Sequence, residues 1–183
     1  DGLLELEPDD PHLLREHARL LTKLGDEGAE RDLRRLEAMG IETAEDKSML
    51  ASLAVRAGDT DVALQSIEAA LASDPNEEDW LRKAEIHLER NERGLGITAA
   101  DEAIALNRQS GPAWAVRAQL LKNEPGRLEE ALKAATHAVA LGESQVLLKA
   151  ELMERLDRSE DAHTTLSDAL KTDPENAELR AQL

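Results

Sequence analysis

The 183-residue chain has no cysteine and five histidines. Any nucleophilic or metal chemistry would have to come from His, Asp, Glu and hydroxyl side chains. His12 and His17 stand five residues apart in one helical stretch. That spacing does not align two ligands on one face for a shared metal. His87, His137 and His163 are isolated, and a metal or catalytic site needs convergent groups. His87 reads instead as the filler of an apolar position. Ser159-Glu-Asp-Ala-His163 has no flanking nucleophile motif and reads as a helix start. Glu85 and Glu89 share a helical stripe with Glu78, and Glu92 is near. Opposed carboxylates can do acid–base work. These lie along one stripe with Arg82 among them, so they read as a solvated face or as a contact patch for a basic partner. No Gly-rich phosphate loop follows a strand, because no segment has a strand period. The expectation is therefore a protein that is not an enzyme and needs no cofactor or metal.

The elements that would carry these side chains are all helical. A small residue recurs midway along each first helix: Ala18, Ala51, Ala84, Ala118 and Ala150, separated by 33, 33, 34 and 32 residues. The second helices give Leu36, Ala70, Ala103, Ala138 and Ala169, separated by 34, 33, 35 and 31. Two independent series with one period near 34 mark a solenoid. Helix signals agree: Asp10 before Pro11, Gly25, Thr43, Gly58, Thr60, Asp74-Pro75, Asn76 and Asp173-Pro174 all sit at expected ends. A helix is expected over 97–106, after the Asn91-Glu-Arg-Gly-Leu-Gly96 turn. The best-formed unit is 111–141, where Asn123-Glu-Pro-Gly126 breaks two amphipathic helices. Short connections make sequential helices antiparallel. The expected organisation is one solenoid over 1–183. Its hairpins fall at 11–42, 43–75, 76–108, 111–142 and 144–174, with partial repeats at 1–8 and 177–183. The ends look like an excised piece of a longer array.

Composition limits the partners. The net charge is −17. Residues 1–43 carry 12 acids and 6 bases, 44–110 carry 14 and 7, and 111–183 carry 13 and 9, so the charge reads as spread. Such a field disfavours phosphate backbones and anionic lipids and attracts cationic partners. Trp80 and Trp114 are the sole members of the Phe, Tyr and Trp set, which leaves little for base stacking. No nucleic acid is expected. The apolar runs are short and broken by charge, so no direct membrane insertion is expected either.

The spacing resembles the tetratricopeptide repeat, whose pattern runs W-x2-L-G-x2-Y, then A-x3-F, then P. Trp114-x2-Arg117-Ala118-x2-Leu121 carries the first part and Trp80-x2-Lys83-Ala84-x2-His87 a looser version. Ala63-x3-Ile67-x2-Ala70-x4-Pro75 and Ala162-x3-Leu166-x2-Ala169-x4-Pro174 carry the second. Leu21, Ala54, His87 and Met153 stand where the pattern has a large aromatic, and Glu42, Arg108 and Glu143 where it ends in Pro. The resemblance implies an all-α, right-handed superhelix of antiparallel hairpins, drawn from a bacterial array. It implies a protein–protein interaction scaffold that holds a peptide or partner protein in a concave groove lined by first helices.

Projected onto this sequence, the groove lining is Arg15, Arg19, Ser48, Ser52, Leu81, Glu85, Leu88, Ala115, Gln119, Lys122, Leu147, Glu151 and Glu154. Its first hairpin is basic, its third and fifth are acidic, and its middle is small or apolar. That gradient would orient a partner of mixed charge. Some members bind chaperone C-termini through a clamp of Lys, Arg and Asn. Arg15 and Arg19 fit such a clamp, but Ser48 and Ser52 stand where its next residues belong, which argues against that ligand. An alternative is a periplasmic scaffold of an envelope secretion or exopolysaccharide export assembly. There the acidic surface would guide a cationic polysaccharide or dock a modifying enzyme. The compartment stays open, with periplasm favoured over cytoplasm.

Overall fold

The computed structural model describes residues 9–26 and 28–182. The expected partial repeat at 1–8, and Leu183 of the closing one, lie outside the described residues. Among the described residues there are eleven helices and no strand. They are α1 (Pro11–Leu24), α2 (Gly28–Ala38), α3 (Ala44–Ala57), α4 (Thr60–Leu71), α5 (Glu77–Glu89) and α6 (Arg93–Leu106). The series continues with α7 (Gly111–Leu121), α8 (Leu128–Ala140), α9 (Val146–Arg155), α10 (Ser159–Thr172) and α11 (Ala177–Ala181). None of them is long and apolar enough to cross a membrane. Sequential helices pack as hairpins, α1 on α2, α3 on α4, α7 on α8 and α9 on α10. Packing groups the chain into two compact units, Asp1–Asp79 and Trp80–Leu183. α5 begins in the first and continues in the second.

The helix ends follow local chemistry. Asp10 accepts from the Leu13 N–H at 2.8 Å, ahead of Pro11. α3 starts with a capping box in which Thr43 and Asp46 satisfy each other's backbone N–H groups. Asp59, not Thr60, caps α4, accepting from the Val62 N–H at 3.1 Å. Asn76 precedes α5 and accepts from the Asp79 N–H at 2.9 Å. Ser110 caps α7. Gly25 and Gly58 close α1 and α3 in the left-handed region, where a Cβ is strained.

α6 departs from the expected 97–106 span. It begins at Arg93 and runs straight through Gly94 and Gly96. Gly96 is not a breaker here. A Cβ on it would lie 2.8 Å from Leu120 Cδ2 and 3.3 Å from His87 Cβ, so glycine lets α6 close on α5 and α7. In the last full pair α9 begins at Val146 and α10 at Ser159.

The periodic small residues form the core. Ala18, Ala51, Ala84 and Ala118 are fully buried, as are Leu36, Ala70, Ala103 and Ala138. A small side chain at each crossing lets the helix axes approach closely. In the first unit Leu14, Ala18, Leu33, Leu36, Met49 and Leu50 make one cluster across α1, α2 and α3. The second unit has a larger one, reaching from Ala84 through Leu120, Leu121 and Leu152 to Leu166 and Leu179. α11 thus seats Leu179 on the end of α10.

The charge is less evenly spread than a three-way split of the sequence implies. The first unit carries 21 acids and 8 bases, the second 18 and 14. Most of the net −17 therefore belongs to the first unit.

Candidate functional site

The thirteen residues projected onto a groove separate into two groups. Four belong to the first unit, and their polar groups are engaged within it. Arg15 on α1 reaches α3: its Nε donates to Asp46 Oδ2 at 3.0 Å and its Nη2 donates to the Ile41 carbonyl. Arg19, one turn later, donates to Glu45 Oε1 at 2.7 Å and also pairs with Glu16. The Glu45 contact raises the Arg19 pKa further above its ordinary value. Ser48 donates to Asp79 Oδ2 at 2.5 Å, and Ser52 to the Ser48 carbonyl at 2.9 Å. The expected basic first hairpin is thus neutralised by Asp46, Glu45 and Glu16. Arg15 and Arg19 pair with acids of α1 and α3.

These contacts have a common register. Asp46 and Asp79 are each the third residue of a first helix, and both are almost fully buried. Each receives a bond from the residue 31 positions earlier, Arg15 and Ser48 respectively. A buried acid at a helix N-terminus is favoured by the local N–H groups and dipole, and the preceding first helix completes its shell. The Arg15–Asp46 pair ties α1 to α3.

In the second unit the projected residues behave differently. α7 is started by Ser110 and Pro112, and its 3.6-residue period puts Gln119 and the following Lys122 on one edge. On α9, Leu147, Glu151 and Glu154 recur at i, i+4 and i+7. α8 packs on α9 and α7 on α8. These edges border a cleft of about 790 Å³. Of the projected residues, Leu88, Gln119, Lys122, Leu147, Glu151 and Glu154 line it. Its floor is apolar, with Leu120, Leu148, Ala150 and Leu166 beneath the half-buried Leu88 and Leu147.

Three projected residues of this unit lie elsewhere. Ala115 is buried, because α7 is enclosed by its neighbours on that side as well. Leu81 packs against the core. Glu85 is exposed outside the cleft. Its carboxyl pKa is raised by local desolvation, which outweighs the opposing Arg82 charge, with Glu89 repulsion adding a smaller push upward.

The rim is charged and polar. Lys122 Nζ lies 3.6 Å from Glu151 Oε2, and Arg155 Nη1 lies 3.6 Å from Glu151 Oε1. Glu154 accepts from the Ser159 hydroxyl at 2.8 Å. Arg93 lines the cleft while its partner, Glu124, lies 3.6 Å from it and outside the lining. Asn91 and Asn123 stand at the turns that end the first helices, and Asn91 takes a positive φ of 57°. Asparagine tolerates that conformation better than other non-glycine residues.

Apolar clefts of this size with a few placed polar groups are ordinary ligand sites. Among the described residues, no group of three or more His, Asp or Glu side chains could hold a metal ion. His87 is buried, and its Nδ1 lies 2.7 Å from Glu92 Oε2. His17 Nδ1 lies 2.6 Å from the buried Asp32. Both of these histidines contact a carboxylate within their own hairpin.

Comparison with known structures follows the same lines. MamA 41-end from Desulfovibrio magneticus RS-1 is 17% identical, covers 91% of this chain and 97% of its own, and superposes with a TM-score of 0.78. PilW, described as a widely conserved type IV pilus biogenesis factor, is 19% identical over 97% of this chain and 84% of its own, with a TM-score of 0.76. YrrB, described as a TPR protein with an unusual peptide-binding site, is 18% identical over 99% and 95%, with a TM-score of 0.79. The chain has the tetratricopeptide-repeat fold. No protein-family model matches it, and no curated protein matches it in sequence. Leu21, Ala54, His87 and Met153 stand where the tetratricopeptide pattern has large aromatics.

Reading the tetratricopeptide pattern alone misses part of the cleft. Asn91, Arg93, Asn123 and Arg155 line it as well. Asn91 and Asn123 were legible as turn residues. Nothing in a helical projection turns them toward a groove. Arg155 is visible as the i+4 neighbour of Glu151, but its place on the cleft depends on how α9 meets α7 and α10.

Proposed function

We propose that this chain is a non-enzymatic protein-interaction scaffold, and that the cleft of its second unit receives an apolar side chain from a protein or peptide segment. The observation that carries this reading is the combination of an apolar leucine floor with a ring of charged and amide side chains in a cleft of about 790 Å³. Such an arrangement desolvates an anchor residue at its centre and leaves polar groups at the rim to orient the main chain. Helical hairpins with short connections supply a rigid support, so little ordering cost is added on binding. The fold shared with YrrB, a protein described as having a peptide-binding site, agrees with this reading.

The test is direct binding of blocked 12-residue peptides carrying one central leucine, followed by fluorescence polarisation. Saturable binding is expected, lost when that leucine is replaced by serine. Leu147→Asp should abolish it, since Leu147 is half-buried at the cleft wall and not part of the deepest core. Unchanged binding by a folded Leu147→Asp variant would place the site elsewhere.

A further inference from the structure

We propose that the open face of α1 is a self-association surface, on which a second copy of this chain lays its own α1 antiparallel. The surface lies wholly in the first unit and is independent of the cleft in the second.

Two sides of α1 are committed to its own unit. Leu14 and Ala18 are buried in the cluster shared with α2 and α3, and Arg15 and Arg19 reach acids of α3. With about 100° between successive residues, a third side carries Leu13, His17, Leu20 and Leu24, away from Arg15 and Arg19. Leu20 is 58% exposed and Leu24 79%, the most of any large apolar side chain among the described residues. The repeat shows what this side receives. One period later the position of Leu20 is held by Leu53, which is partly buried against the cluster that includes Leu33 and Leu36 of α2. On α3, therefore, the second helix of the preceding hairpin covers this side. On α1 it is open at Leu20 and Leu24, and an amphipathic helix fits it.

Spacing and charge point to α1 itself as that helix. Leu13, His17, Leu20 and Leu24 are separated by four, three and four residues, the alternation of a two-helix coiled-coil seam. The series has the same spacing from either end. Two antiparallel copies therefore set Leu13 against Leu24 and His17 against Leu20, each twice. Glu16 and Lys23 flank the seam on one side, seven residues apart. The antiparallel register brings Glu16 of one copy beside Lys23 of the other, again twice. Lys23 is exposed and, among the described residues, has no ion-pair partner. Glu16 contacts Arg19, but Arg19 also holds Glu45 at 2.7 Å, so Glu16 can take a second cation. A parallel pair would set Glu16 level with Glu16 and Lys23 level with Lys23, and lose both attractions. α1 has 14 residues and is about 21 Å long, so the contact is small and belongs with weak, transient interfaces. The first unit carries 21 acids and 8 bases, and two copies repel at long range. At physiological ionic strength, charges beyond about 8 Å are largely screened, which leaves the seam and its flanking pairs to decide.

Sedimentation equilibrium of the 183-residue chain at physiological salt, over a roughly hundredfold concentration range, reads the association. A monomer–dimer equilibrium is expected. Leu24→Ser should remove it, and Leu20→Ser serves where that variant is unstable. Leu106→Ser, at a comparably exposed leucine of the second unit, should leave it unchanged. Glu16→Lys and Lys23→Glu should each weaken the dimer about tenfold, because two symmetry-related attractions become repulsions. Mixed in equal amounts, these two variants should recover association close to the parent level, since every facing pair is again of opposite sign. A chain that stays monomeric throughout overturns the proposal and leaves this face to an unlike helix. Dimers that survive both Leu24→Ser and Leu20→Ser overturn it too. So do charge variants that fail to complement each other on mixing.

Discussion

Replacing Arg15 by methionine is expected to destabilise the first unit far more than the same change at Arg19. The two arginines lie one turn apart on α1, and both pair with acids of α3. Their partners differ in burial. Asp46 is 1% exposed, and its Oδ2 accepts from Arg15 Nε at 3.0 Å and from the Thr43 N–H at 2.8 Å. Its Oδ1 has no hydrogen-bond partner. Glu45 is 58% exposed and can exchange its arginine for water. Methionine keeps most of the apolar stem of Arg15, so packing changes little. What is lost is the cation facing a buried carboxylate. Breaking a fully buried pair costs about 3–5 kcal/mol. The Arg15 side chain is 26% exposed, so water reaches that end of the pair and the cost falls to about 2–3 kcal/mol. Losing the bond to the Ile41 carbonyl adds roughly 1 kcal/mol. Urea unfolding followed by circular dichroism at 222 nm reads the difference. Arg15→Met should shift the transition of the first unit strongly, whereas Arg19→Met should leave it within error. The double variant Arg15→Met/Asp46→Asn should recover part of the loss, because an amide is far less costly to leave without a cation. Equal shifts for the two single variants would refute the burial argument.

Three further outcomes are expected. Gly94→Ala should stabilise α6 by up to about 1 kcal/mol, since a Cβ there meets nothing within 4 Å. Gly96→Ala should destabilise it by about 1–2 kcal/mol through overpacking against Leu120. A melting-temperature comparison separates the two, and a shift of the same sign in both would contradict the packing account. Glu85→Gln should raise the melting temperature at pH 7 and leave it unchanged in acid well below the ordinary carboxylate range. The reason is that the folded state holds the Glu85 proton more tightly than the unfolded chain, so Glu85 lowers stability as pH rises through its folded pKa. An equal change at both pH values would remove desolvation and Glu89 repulsion as its cause. Asn176→Ala should fray α11, because Asn176 Oδ1 accepts from the Leu179 N–H at 3.1 Å. The cap contributes about 1 kcal/mol, and faster amide exchange across 177–181 is the readout.

Period and caps made most of the fold legible. A residue's size is a property of the sequence, and a small residue every 33 or 34 positions can mean little else than repeated close crossings. Ala18, Ala51, Ala84 and Ala118 are fully buried as that reading requires. Gly96 was misread for the same local reason: glycine breaks isolated helices, and only the approach of Leu120 explains why it is inside one. The candidate site was legible in part. The groove implied by the tetratricopeptide resemblance brought out Gln119, Lys122, Leu147, Glu151 and Glu154, which line the cleft. It also selected Arg15, Arg19, Ser48 and Ser52, whose polar groups are engaged in contacts within the first unit.

The sequence alone therefore determined the helices, their antiparallel pairing and the residues at their crossings, because these depend on local propensity and on apolar period. Which charges are available to a partner was decided by tertiary structure. An arginine on a projected groove looks the same in sequence whether it faces solvent or a buried aspartate 31 residues away. Asp46 lies under Arg15 only because α3 packs beside α1. Lys122 and Arg155 face a common cleft only because α7, α8 and α9 pack in succession. Electrostatic sign is summed over neighbours in space, and those neighbours come from residues far apart in the chain.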